Sequence, residues 1–226
     1  MFWTLLFCHL LADYPLQTDA MVQAKKRLPG LALHVGVHLV TMVVIVFGVI
    51  RMAWWPAGAV VLTVTMLHFA IDSWKNVLSK RKPQWVIGGY LQDQVLHIAS
   101  LLVVAGGGGW VADGVYAPFS PVPPAWVIYG SGYILVTHAW FVTERVLTYR
   151  NQARQQLVNA ALWPRMMSRA LLLTLLLWGW PQVNASQLGK SGFFLWPYRA
   201  TAYRLHFLLI DLVVTLTVLA FIVLAR

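Results

Sequence analysis

Apolar residues run along the chain in stretches at 2–13, about 31–50, 54–74, 85–105, 125–147, 166–180 with its flanks, and 202–225, with short polar or Pro-rich connections between them. All but the first approach the roughly 20 residues that a helix needs to cross a hydrocarbon core of about 30 Å. The first is shorter and is followed by "DYPLQTD", so it either stops at Pro15 as a partial span or bends there and continues to about Ala24. The pattern predicts an all-α fold, a polytopic transmembrane helix bundle of about seven segments. A cleaved signal peptide is not expected, because the first stretch has no basic region before it and no small-residue cleavage pattern after it.

Polar residues inside these stretches are spaced regularly. His9/Asp13, His34/His38, His68/Asp72 and Asp93/His97 are each four positions apart, and they lie on four successive segments. A spacing of four puts both side chains on one helix face, so each segment can direct two metal ligands or proton carriers at a common point. The four pairs together read as one site assembled inside the bundle.

Composition fixes the solvent. With 59% hydrophobic and 11% charged residues among 226, and a mean hydropathy of +0.67, the chain lies outside soluble globular usage. The formal net charge of +10 then becomes a question of sidedness. If the segments alternate, Arg51, Lys190, Arg199 and Arg204 fall on one side and the other thirteen of the 17 Lys and Arg on the opposite side. The positive-inside rule places those thirteen in the cytoplasm, which predicts a multipass membrane protein with its amino terminus outside and its carboxyl terminus cytoplasmic. The charge thus answers to topology and anionic lipid, and no nucleic-acid partner is expected. The single cysteine, Cys8, excludes an intramolecular disulfide and reads as a packing residue.

The chain reads as a single membrane domain over 1–226. Residues 1–105 hold four segments carrying the His/Asp site, joined by "QAKKRLPG" and "LSKRKPQ" inside and by an outer turn around "RMAWWP". The "GGGG" run at 106–109 leads into an outer Pro-rich loop, and 106–226 contributes three further segments. Between them, residues near 148–163 form an interfacial amphipathic helix with Trp163 as anchor. An outer turn follows, "QVNASQLGKSGFFLWPYR", whose Asn184-Ala-Ser186 is a glycosylation pattern in organisms that glycosylate there.

Under this topology all eight paired residues fall in the cytoplasmic half of the bilayer. Each ionised Asp there costs about 2.5–3.5 kcal/mol on insertion scales, and something must offset that. A divalent cation can, since tight structural zinc binding is worth about 10–16 kcal/mol. His9, Asp13, His34, His38, His68, Asp72, Asp93 and His97 are enough for two divalent ions with four protein ligands each and open positions for water; zinc, manganese and iron all suit this donor set. A metal-free hydrogen-bond or proton network, and separate structural roles, are the alternatives; Asp72 in particular has Lys75 nearby to pair with. Gln17, Asp19, Gln92 and Gln94 are candidates to orient the histidines or touch substrate. For Asp19, capping the next turn or facing the cytoplasm serves equally well.

The strings "HLLADYPLQTD" (9–19), "LHVGVH" (33–38), "LHFAIDSWK" (67–75) and "LQDQVLHI" (91–98) resemble a bacterial family of multipass membrane proteins of unknown function. The resemblance covers residues 9–98 and implies a membrane location and a shared polar core rather than a reaction. A looser likeness of pattern connects the chain to membrane-bound metal-dependent hydrolases.

These readings converge on a membrane metal-dependent hydrolase with a dinuclear centre, in which a metal-activated water attacks an ester or phosphoester of a lipidic substrate. Lys75, Arg165 and Arg169 are candidates to hold the substrate's anionic group, although all three also satisfy the topology rule without a substrate. Glu144 is a minor candidate acid or base and otherwise a partner of Arg145; His138, six positions before it, does not share its face. His206 and Asp211 fall toward the outer end of the last segment, as structural residues or partners of Arg199 or Arg204. Other classes compatible with the same residues are a proton-coupled or divalent-cation transporter, a di-iron lipid oxidase and a metal-stabilised accessory subunit. Adjacent His-His pairs, usual in membrane desaturases, are absent, which disfavours the oxidase.

Overall fold

The computed structural model describes residues 1–49, 54–115, 125–179 and 204–225. The turn at Arg51, the Pro-rich loop after Val115, the outer turn with Asn184, Lys190 and Arg199, and Arg226 lie outside the described residues. Among those described, all regular structure is helical. The chain divides into two compact units, Met1–Val127 and Ile128–Arg226.

The first unit opens with α1 (Phe2–Asp13). Its 12 residues rise about 18 Å at 1.5 Å each, short of a full crossing. Pro15 ends it, since it has no N–H to give the Leu11 carbonyl; the Leu16 N–H takes that carbonyl instead at 3.1 Å. The chain restarts at Thr18, whose hydroxyl accepts from the Met21 N–H at 3.2 Å and caps α2 (Asp19–Ala24). Of the two expectations for this region, the partial segment describes it; α2 is a separate helix.

From α2 the chain turns into α3 (Leu28–Val43), which a π-helical stretch, Val44–Val49, prolongs. Gly30 makes that turn possible, because a Cβ there would fall on the Ala24 carbonyl. Gly30→Ala must therefore move backbone, and it is expected to destabilise the protein by about 1–3 kcal/mol, read as a lower midpoint in thermal unfolding.

Two long helices complete the unit, α4 (Trp54–Arg81) and α5 (Val86–Val115). Both outrun the expected 54–74 and 85–105. The glycines at 106–109, expected to lead into a loop, stay helical. Each costs about 1 kcal/mol of helix propensity, but backbone amides left unpaired in an apolar medium cost more. α1 packs against α3 and α5, and α4 packs against the same two, so the four helices close a ring. Inward stripes repeat every three to four residues: Leu31, His34, Val35, His38, Thr41 and Met42 on α3, and Val61, Val64, Thr65, His68 and Asp72 on α4. The outward faces carry exposed Leu33, Val40, Leu62, Met66, Val95 and Leu102, which suits contact with lipid.

The boundary between the units falls inside α6 (Ala125–Ile134), which continues through a π-helical turn, Leu135–Ala139, into α7 (Trp140–Leu147). Then come α8 (Gln152–Ala160), capped by the Asn151 side chain at the Arg154 N–H, and α9 (Leu162–Thr174), prolonged by Leu175–Gly179. The last helix is α10 (Arg204–Ala225). The expected amphipathic stretch is α8, bent 61° from the helix that follows. Its Val158 packs on Phe207, and Trp163 is exposed. Among the described residues, five helices are long and apolar enough to cross a membrane, or six with the bent pair counted as one span.

One depth assignment is corrected. Arg165 and Arg169 were expected at the cytoplasmic end and Asp211 toward the outer end, yet the three are in direct contact. Arg154 also hydrogen-bonds His206, so α10 begins at the end of the unit where α8 and α9 begin. The physical reason is charge: two guanidinium groups in apolar surroundings need a carboxylate beside them, and Asp211 supplies it.

Candidate metal centre

Each of the four ring helices turns its i,i+4 pair inward, and the eight side chains meet. His34 and His38 have no exposed surface, and His9, His68, Asp72, Asp93 and His97 are each 2% exposed. Asp13 is the hub. Its Oδ1 lies 2.9 Å from Nε2 of His38, 3.2 Å from Nε2 of His34 and 3.9 Å from Nε2 of His68. The Nε2 atoms of His34 and His68 are 3.2 Å apart. A tetrahedral ion with bonds of about 2.1 Å holds its donors roughly 3.4 Å from one another, so these separations bracket a coordination shell. Asp13, His34, His38 and His68 each offer one ligand atom within 4.8 Å of the others, and so do His68, Asp72 and His97.

Two nitrogens point the same way. The Asp93 carbonyl can only accept, so Nδ1 of His97, 2.9 Å away, is the donor and Nε2 keeps its lone pair. That Nε2 and the Nε2 of His9 are buried without a hydrogen-bond partner. Leaving such an atom unsatisfied costs about 1–3 kcal/mol, which a bound cation would recover.

Two lysines enter the cluster as well. Lys75 follows His68 by seven residues on the inward face of α4 and reaches Asp93 Oδ2 at 2.5 Å. Lys25, from the α2–α3 turn, lies 3.4 Å from Asp72 Oδ2, and its own carbonyl accepts from Asn76 Nδ2 at 2.7 Å. The expected partner of Asp72, Lys75, is thus replaced by Lys25, and Lys75, expected to hold a substrate anion, holds Asp93. His9 and Asp93 belong to neither four- nor three-residue ligand group, although both adjoin it: His9 lies 3.5 Å from Asp13 and Asp93 lies 3.6 Å from His97.

Of the four supporting residues expected, Gln94 reaches the edge of the cluster, donating to Asp93 Oδ2 at 3.1 Å and accepting from the Tyr14 hydroxyl at 2.9 Å. Gln17 instead donates to the Asp13 main-chain carbonyl at 3.1 Å and finishes α1. Asp19 is exposed in the first turn of α2, where a carboxylate complements the helix dipole. Gln92 Oε1 is buried without a hydrogen-bond partner. Lys25 and Tyr14 were missed by sequence reasoning. No spacing rule ties them to the paired residues, because the α1–α2–α3 corner brings them in.

In the second unit, Arg165 and Arg169 do not present a site for a substrate anion. Arg165 forks onto Asp211 at 2.6 and 2.9 Å and reaches Glu144 Oε2 at 2.8 Å, and Arg169 meets Asp211 at 2.8 Å and the Val136 carbonyl. Both guanidiniums are committed to buried carboxylates, which is the correction to that expectation. Glu144, expected beside Arg145, pairs with Arg165, and Nδ1 of His138 meets Thr137 Oγ1 at 3.1 Å.

The fold and the cluster define a helical membrane protein with a buried His/Asp centre able to hold a metal ion. The chain belongs to the family described as "Protein of unknown function (DUF3307)", whose model matches residues 1–122 and so contains all eight residues of the centre. No curated protein and no solved structure matches the chain.

Proposed function

We propose that this chain is a metal-dependent hydrolase of the bacterial inner membrane, acting on an ester or phosphoester of a lipid or lipid-linked substrate. The observation that carries the reading is the convergence of Asp13, His34, His38 and His68 from three helices at coordination distances, with the buried Nε2 atoms of His9 and His97, neither hydrogen-bonded, beside them. Zinc, manganese and ferrous iron all suit imidazole mixed with carboxylate. Bound there, such an ion would supply Lewis acidity and a water acidic enough to ionise near neutral pH. The chain's own residues do the rest. Asp13 orients three imidazoles at once, the ring of helices excludes bulk water, and Lys25 and Lys75 hold the carboxylates of Asp72 and Asp93 beside the ligand group. The apolar outer faces of α3, α4 and α5 give acyl chains a path along the bundle.

The test is turnover. Metal-loaded protein in lipid nanodiscs, offered phospholipid, acylglycerol and lipid-linked phosphoester substrates, is expected to release product by mass spectrometry, to lose activity with a chelator and to regain it with one of the three metals. Folded, metal-loaded protein that turns over no class of substrate would overturn the hydrolase reading. One observation favours a second reading, cation or proton transport: the Lys25–Asp72 and Lys75–Asp93 pairs are contacts that a passing cation can displace. Metal or proton flux into liposomes without product would put that reading in its place.

A further inference from the structure

The three carboxylates of the centre are not equivalent. The ion pairs of Asp13 are all with histidines, His9, His34, His38 and His68, while Asp72 also contacts Lys25 and Asp93 also contacts Lys75. Of these three, the carboxylate with no lysine at ion-pair distance is the one at the hub of the four-residue group. Eight side chains would suffice for two ions, the number expected from the sequence, but the lysines change the charge balance.

We infer that the cluster is a one-ion centre, in which the ammonium groups of Lys25 and Lys75 stand where a second divalent cation would otherwise be required. The inference rests on the metal reading proposed above. Three carboxylates and two ammonium groups leave one net negative charge when the imidazoles are neutral. One divalent ion at Asp13, His34, His38 and His68 converts that to one net positive charge, whereas two ions would leave three. Uncompensated charge is costly in a low-dielectric interior, so the two-ion state, with three net charges, is less favourable than the one-ion state. Geometry agrees with the ledger. The second group, His68, Asp72 and His97, shares His68 with the first, and its carboxylate and the adjoining Asp93 are already paired with lysine.

The experiment counts ions. Full-length protein is loaded with manganese, freed of excess by gel filtration, and measured by elemental analysis and electron paramagnetic resonance. About one ion per chain and an uncoupled six-line signal are expected. Lys75→Met is expected to raise the content to about two ions and to add a spin-coupled signal. Two ions or a coupled pair in the unsubstituted protein would overturn the inference and leave the metal reading standing. One ion in folded Lys75→Met protein would also overturn it, by showing that Lys75 does not hold the second position. No ion in folded unsubstituted protein would sink the metal reading itself, and this inference with it. Should Lys75→Met fail to fold, the spectrum of the unsubstituted protein decides by itself.

Discussion

Replacing His38 with alanine is expected to lower the affinity for the bound divalent ion by at least about a hundredfold, with the helical content unchanged. Loss of a residue that only orients a ligand typically costs 10–100-fold, and His38 is itself placed as a ligand, 2.9 Å from the Asp13 hub. His34→Ala should behave alike. Gln17→Ala supplies the contrast: it caps the Asp13 main chain and touches no ligand atom, so metal affinity should hold. Equilibrium dialysis with zinc, alongside circular dichroism of each variant, checks the set. Unchanged affinity in folded His38→Ala would remove His38 from the coordination shell.

Asp211→Ala is expected to destabilise the protein by about 3–5 kcal/mol, the usual cost of removing one partner from a buried ion pair. Asp211 is the shared acceptor of Arg165 and Arg169, all three being 2% exposed, so its loss leaves Arg165 with Glu144 and Arg169 with the neutral Val136 carbonyl and no carboxylate in contact. Pairing the change with Arg169→Met should recover part of the loss by removing the stranded charge. Thermal denaturation in detergent, followed by loss of helical signal, measures both. A midpoint unchanged in Asp211→Ala would show that the network contributes specificity rather than stability.

The two predictions differ in how visible their residues are in the sequence. The centre was legible because a helix repeats every 3.6 residues, so a pair such as His68/Asp72 announces a shared face, and four such pairs announce a ring. What came in from outside a helix period was not. Lys25 sits in a run of basic residues that the topology rule already explains, and only the α2–α3 turn at Gly30 brings it to Asp72. The second-unit network was invisible for another reason. Glu144, Arg165 and Asp211 come from three helices far apart along the chain, and a rule of strict alternation put Asp211 at the wrong end. The length of α5 was underread because four glycines signal a break in water, whereas a medium without hydrogen-bonding solvent favours the helix.

Imidazoles from α3 and α4 and the carboxylate of Asp13 are expected to bind one and the same ion. X-ray absorption spectroscopy at the metal edge of gently purified protein tests it most directly. A first shell of nitrogen and oxygen at about 2.0–2.2 Å is expected, with the multiple-scattering pattern of about three imidazole rings. A shell containing sulfur, a metal without imidazole scattering, or folded protein carrying no metal would contradict it.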